Sequence, residues 1–207
     1  DGAEFHIVLI PTTEASSPEA NFAVNPPRYI SGNTGSWTDN GNTTDDTDVR
    51  TPDLAWTGNK IGLVYTEAVD AGTSDFRTRF SEFDGTNWST AETVEGDAEV
   101  QYGIAWDNTD STYRVFVRFD DGTGRALYEV EGGPGSWSSR SKVIDSGVRG
   151  APIQSSTEGF HTIYLPSGET ATYVVQGDAS SNIQKKLNNK SIFNPRSAKK
   201  RQDSFRS

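Results

Sequence analysis

Trp37, Trp88 and Trp137 stand 51 and 49 residues apart, and each closes a turn of similar design. The three turns read Ser31-Gly-Asn-Thr-Gly-Ser-Trp37, Ser81-Glu-Phe-Asp-Gly-Thr-Asn-Trp88 and Glu131-Gly-Gly-Pro-Gly-Ser-Trp137. A strand-rich unit that recurs every 40–50 residues or so cannot bury its own faces, so its neighbours must stack against it. That restricts the chain to a few architectures, with blades of a propeller first among them.

Strand signals fall in a fixed order between the tryptophans. Pro52–Trp56 is short and apolar, and the turn Thr57-Gly-Asn-Lys60 leads to the β-branched and aromatic run Ile61–Thr66. In Phe76–Phe83, Phe76, Thr78 and Phe80 alternate with Arg77, Arg79 and Ser81, the period of a half-buried strand. Asp84-Gly85 then turns the chain into Trp88–Val94. The same four recur as Val100–Trp106, Tyr113–Phe119, Arg125–Glu131 and Ser136–Ile144, with Ile104-Ala-Trp106 echoing Leu54-Ala-Trp56. A third set runs through Ala151–Ser155, Phe160–Leu165 and Thr170–Gln176 without a Trp turn, and Tyr29–Trp37 supplies a Trp turn without a full set of strands ahead of it. Two full units and two partial ones are expected. The fold class is therefore all-β, built of four-stranded antiparallel blade-like units, as a partial or oligomer-completed β-propeller; the alternative is a β-sandwich.

Three segments follow: residues 1–28 as an N-terminal strand and connector, 29–182 as the repeat domain, and 183–207 as a basic tail. Residues 1–182 carry 11 basic and 28 acidic residues, a net of −17, whereas 183–207 carry 8 basic and 1 acidic, a net of +7. The acidic body argues against nucleic acid as its partner, since phosphate binding needs a basic footprint. The tail has too little apolar surface to offset its ordering entropy. No apolar run reaches the length of a membrane helix. The absence of Cys excludes disulfides and thiolate metal sites. A chain opening at Asp1 with no Met reads as processed or trimmed. With the nine arginines against two lysines in the body, this places it outside the cell, or on a virion or cell surface.

The middle turn, Ser81 to Trp88, resembles the Asp-box of sialidase-like propellers, a Ser-x-Asp-x-Gly-x-x-Trp hairpin. Ser81, Gly85 and Trp88 fall in register, while Phe83 stands at the Asp place and Asp84 follows it; the other two turns count one residue shorter from Ser or its equivalent to Trp. The Asp-box is a structural hairpin, so Trp37, Asp84, Gly85, Trp88 and Gly135 are expected as turn residues. A second likeness is to six-bladed fucose-binding lectins of fungi and bacteria. It rests on Tyr113-Arg114-Val115-Phe116, then Leu127-Tyr128-Glu129, then Trp137, with Gly62-Leu63-Val64-Tyr65, Phe80-Ser81-Glu82 and Trp88 in the preceding unit. In those lectins a strand Arg, a Glu and an aromatic bind the sugar, which implies Arg114, Glu129 and Trp137 here. Gly62 takes the Arg place in the first unit, and His161 and Thr162 lie near it in the third.

The chemistry of these residues leaves several functions open. An arginine–carboxylate fork and an aromatic face suit a sugar ring, but an Arg114–Glu129 pair across strands and a Trp137 plug between sheets serve packing equally well. Asp45-Asp46-Thr47-Asp48 and Asp107-Asn108-Thr109-Asp110 are oxygen-rich loops that calcium accepts, and equally ordinary turns. No cofactor or metal site follows from them. Sialidase-type hydrolysis needs an arginine cluster, a carboxylic acid and a tyrosine, and no spacing among Arg28, Arg50, Arg77, Arg79, Arg114 and Arg118 singles out a cluster. His6 and His161 show no ligand spacing, so no catalytic residue is assigned. The expected function is a non-enzymatic, glycan-recognising binding or assembly module that self-associates. A structural subunit of a virion, filament or surface layer is the alternative, and a fragment of a sialidase-like glycoside hydrolase the second.

Overall fold

The structure is a computed structural model that describes residues 4–10, 26–33, 35–69, 75–97, 100–122 and 124–144, Tyr102 and Ile144 by backbone alone. Four further strands, at 153–156, 159–164, 173–177 and 183–186, are likewise described by backbone alone. The described residues contain strands and turns but no helix, hence no helix long and apolar enough to cross a membrane.

The strands form four antiparallel sheets in chain order, each pairing sequential neighbours. The first holds β1 (Phe5–Leu9), β2 (Arg28–Asn33) and β3 (Ser36–Asn42). The second holds β4 (Val49–Trp56), β5 (Ile61–Ala68), β6 (Phe76–Phe83) and β7 (Glu92–Glu95). The third holds β8 (Val100–Asp107), β9 (Thr112–Asp120), β10 (Arg125–Gly133) and a fourth strand split into β11 (Ser136–Trp137) and β12 (Ser141–Ile144), both paired with β10. The fourth holds β13 (Ile153–Ser156), β14 (Gly159–Tyr164), β15 (Tyr173–Gly177) and β16 (Ile183–Lys186). Ile183–Lys186 pairs with β15, so the segment expected as a tail opens with a strand, and the rest of it lies outside the described residues. No closed barrel or closed ring of sheets is present among the described residues.

The turn lengths need correction. Gly32 pairs with Trp37 and Gly132 with Trp137, and Phe83 bridges to Trp88. All three turns therefore have one length, and Ser31, Glu82 and Glu131 are the equivalent residues; matching Ser81 to Ser31 slips the register by one. Asp84 caps the middle turn, accepting the Thr86 and Asn87 amides on Oδ1 at 2.8 Å each. Gly85 and Gly135 hold left-handed backbone there, at φ 98° and 78°. Glycine at 32 and 132 has a packing cause: a Cβ on either would lie 2.2 Å from the carbonyl oxygen of Ser36 or Ser136.

The sheets stack in succession. β1 lies beside β4, β4 beside β8, and β8 beside β13. Along β5 the side chains alternate between two neighbours. Leu63 and Tyr65 pack with Val49 against Val8 and Ile10, toward the first sheet. Val64 joins Ala55, Phe80 and Val94 in packing on Ile104, Tyr113, Val115, Val117, Tyr128 and Val130 of the third sheet. With both faces covered, all eight residues of β5 are buried, which is why Ile61–Thr66 is nearly continuous in apolar and β-branched character rather than alternating. Each fully buried Leu, Val or Phe side chain contributes about 1.5–3 kcal/mol, and the sheet-to-sheet junctions collect most of it.

Candidate functional site

The structure brings two of the three expected sugar-binding residues together. Arg114 Nη1 donates to Glu129 Oε1 at 2.7 Å, across the β9–β10 pair. Arg114 also reaches Asp107 (3.0 Å), Asp110 (2.9 Å) and Glu131 (3.3 Å), and its side chain is only 4% exposed. Burial by itself would lower the Arg114 pKa; the bonds to Glu129 and Asp107 and the charges of Glu129 and Glu131 outweigh it and hold the guanidinium above its usual value. Trp137 lies elsewhere. Tyr113 and Val115, the neighbours of Arg114 along β9, join the core against the second sheet, so Arg114 points to the opposite face. Trp137 belongs to the second-sheet side: its ring meets Phe80 edge-on at 5.0 Å, and its Nε1 donates to Glu92 Oε1 at 2.8 Å. Glu92 also accepts the Gly135 amide at 2.9 Å, fastening the turn to β7.

The junction that receives Trp137 holds a cleft of about 630 Å³. Its walls include Trp106, Trp137 and Tyr113, with Lys60 and Glu82 from the second sheet and Glu131 from the third. Glu82 is its polar centre: Tyr113 Oη donates to Oε2 at 2.9 Å, and Lys60 Nζ donates to Oε1 at 2.6 Å. Burial and the negative charge of Glu82 push the Tyr113 phenol far above its ordinary range, so it stays a donor throughout the neutral range. Glu131, paired with Arg114 across β9 and β10, accepts from Thr112 Oγ1 at 3.1 Å, so its carboxylate lies with Arg114 on the other face of the third sheet. The Glu82 carboxylate and two indoles thus line one opening.

Gly62 makes this arrangement possible. It sits opposite Glu82 in the β5–β6 pair, as Arg114 sits opposite Glu131 and His6 opposite Ser31. A Cβ at 62 would stand 2.4 and 2.8 Å from Cε1 and Cζ of the buried Tyr113 ring and 3.0 Å from Phe80 Cε2. The residue that breaks the lectin-like pattern is therefore the one that lets Tyr113 reach Glu82. Gly62→Ala is expected to cost about 1–3 kcal/mol in urea denaturation, because the ring has no room to retreat. A midpoint equal to the parent's would show that Tyr113 moves freely and that the contact to Glu82 is not held by packing.

The oxygen-rich loops are occupied by protein partners. Asp46 Oδ2 accepts from Tyr65 Oη at 2.6 Å and from Arg79 Nε at 3.0 Å, while Asp107 and Asp110 both face Arg114. Among the described residues no group of three His, Asp or Glu side chains is placed to share a metal ion. His6 stacks on Trp56 and Tyr29 with ring centroids 5.8 and 5.9 Å away, in the first junction. Asp53 of β4 accepts the Ile104 amide of β8 at 3.0 Å; burial outweighs that bond and the one from Leu54, and raises its carboxyl pKa. His161 and Thr162 lie on β14, whose side chains are outside the described residues.

Sequence reasoning singled out Trp137 but passed over Lys60, Glu82, Trp106 and Tyr113 as site residues. One signal was available: Glu82 stands six residues before Trp88, as Glu131 does before Trp137.

No protein-family model and no curated protein matches the sequence. In fold, the chain is similar to Zg3597, a family 117 glycoside hydrolase produced by the marine bacterium Zobellia galactanivorans, with a TM-score of 0.53 at 14% identity. The likeness covers 79% of this chain and 55% of that one, so the chain spans about half the length of the solved structure it matches. At that identity the likeness speaks for the fold. The expected Asp-box and fucose-lectin memberships find no support in any family model. The expectation of a non-enzymatic binding or assembly module is corrected by this likeness: the fold neighbour is an enzyme, and the glycoside hydrolase ranked last by the sequence accords with it better.

Proposed function

We propose that the chain acts on carbohydrate as a glycoside hydrolase of propeller-like fold, with the cleft between the second and third sheets as its active site. The observation that carries this is the juxtaposition of Glu82, held by Tyr113 and Lys60, with the indoles of Trp106 and Trp137 around one cavity of about 630 Å³. Glycosidic cleavage takes two carboxyl groups flanking the scissile bond, one to protonate the leaving oxygen and one to act as base or nucleophile, and Glu82 supplies one of the two. The indoles supply apolar faces for the C–H side of a sugar ring, and Glu82, Lys60 and Tyr113 supply the polar edge. The stacked sheets, joined through their first strands, are the blades in this reading, and the propeller-like fold of the hydrolase neighbour supports it.

The test is release of new reducing ends from a panel of neutral, sulfated and uronate-containing polysaccharides. Cleavage of at least one member, with a bell-shaped pH profile from two ionising groups, is expected. A panel left intact by folded protein overturns the reading.

A further inference from the structure

We infer that the free face of the first sheet is a docking surface for the fourth sheet of a second copy of this chain. The three Trp-bearing sheets share one register. Phe5 pairs with Gly32 and Gly32 with Trp37; Ile61 pairs with Phe83, which bridges to Trp88; Tyr113 pairs with Gly132 and Gly132 with Trp137. Phe5, Ile7 and Leu9 of β1 are therefore the counterparts of Ile61, Leu63 and Tyr65 in β5 and of Tyr113, Val115 and Val117 in β9. Those six counterparts are at most 3% exposed, because the preceding sheet covers them, whereas Phe5, Ile7 and Leu9 are 50, 43 and 37% exposed. Trp37 follows suit at 49%, while Trp88 and Trp137 are half-buried against Tyr29 and Phe80 of the sheet before them. The first sheet has an apolar face with the same pattern as two buried ones, but among the described residues no sheet lies in front of it. A contiguous patch of that kind on a protein surface marks an interaction site.

The internal junctions state what fits there. Each joins the Trp-bearing side of one sheet to the opposite side of the sheet before it, so the stack is directional. Among the described residues its two ends are unlike: the Trp-bearing side of the first sheet, and the far side of the fourth, whose β13 lies beside β8. Such ends meet head to tail, and a head-to-tail contact either closes into a ring or runs on as a filament. Two copies bring together eight of the described sheets, within the range of roughly four to eight blades at which propellers close. Closure is thus the outcome for a pair of copies, continuing the internal junction across the new contact. This inference rests on the stacking of the sheets and not on the hydrolase reading.

The chain contains no Cys, so Ile7→Cys introduces a single thiol on the docking face. Light scattering on the unaltered chain is expected to give twice the monomer mass in concentrated solution. The thiol at position 7 should be labelled slowly there and rapidly after dilution. Trp37→Glu should return the mass to that of a monomer, with the β-sheet circular dichroism unchanged. A monomer at every concentration overturns the inference, whether the thiol is reactive or is covered by the molecule's own chain. A dimer that survives Trp37→Glu overturns it too. None of these readouts involves a saccharide, so their failure is separable from failure of the hydrolase reading.

Discussion

Glu82→Gln is expected to lower turnover of a cleaved saccharide by about 10²–10⁴-fold, with KM and the denaturation midpoint close to the parent's. The substitution keeps shape and an acceptor: the amide oxygen still takes the hydrogen bond that Tyr113 Oη gives Glu82 at 2.9 Å. What it removes is the negative charge beside Lys60 and the capacity to exchange a proton. Trp106 and Trp137 remain, so binding through the aromatic walls persists while the chemical step fails. A fall in kcat without a change in KM is the signature of a group that acts in the transition state alone. If Glu82→Gln turns over at the parental rate, the reaction centre is not in this cleft. Parallel loss of activity and of the denaturation midpoint would reduce Glu82 to a structural role.

Arg114→Met should destabilise the fold by about 3–5 kcal/mol at neutral pH. Its guanidinium is almost completely buried and faces Asp107, Asp110, Glu129 and Glu131. Removing it leaves carboxylates crowded together with no cation between them, and the cost is that of uncompensated charge rather than of one lost bond. The effect depends on pH. Burial raises the Asp107 pKa, but the Thr109 amide and Arg114 outweigh it and hold the carboxyl below its ordinary 3.8. A carboxylate with a depressed folded pKa contributes stability that is present above the unfolded value and is lost as pH falls through the folded one. The difference between parent and variant is therefore largest near neutrality, begins to narrow below about pH 4, and is lost only as the pH falls through the depressed folded value of Asp107. A gap that stays constant from pH 7 to strongly acidic conditions, read by chemical denaturation, would mean that Arg114 acts through packing of its stem and not through charge.

The strands and turns were legible because their causes are local. Phe76–Phe83 shows its period of two in the side chains themselves, and the structure gives that strand the same bounds. Asp84-Gly85 announces a turn because a short carboxylate caps the next amides and glycine accepts positive φ. The fourth strand of the last sheet, Ile183–Lys186, was missed because two of its four residues are lysines, and cross-strand pairing with β15 overrides that composition. The one-residue slip in the turns arose because Ser81 and Ser31 look alike, while register is fixed by the hydrogen-bonded ladder.

The site was far less legible. Arg114, Glu129 and Trp137 are near one another along the chain, yet alternation sends Arg114 to one face of the third sheet while Trp137 packs on the other. Glu82 and Tyr113 are 31 positions apart and meet across a junction between sheets. By itself the sequence determined an all-β chain of antiparallel strands, the places of its turns, and which residues of each strand share a face, since these depend on backbone sterics and a period of two. Which face meets which was decided by the stacking of sheets. That stacking is set by the fit of whole faces, such as the space that Gly62 leaves for Tyr113, and no window of neighbouring residues contains both sides of that fit.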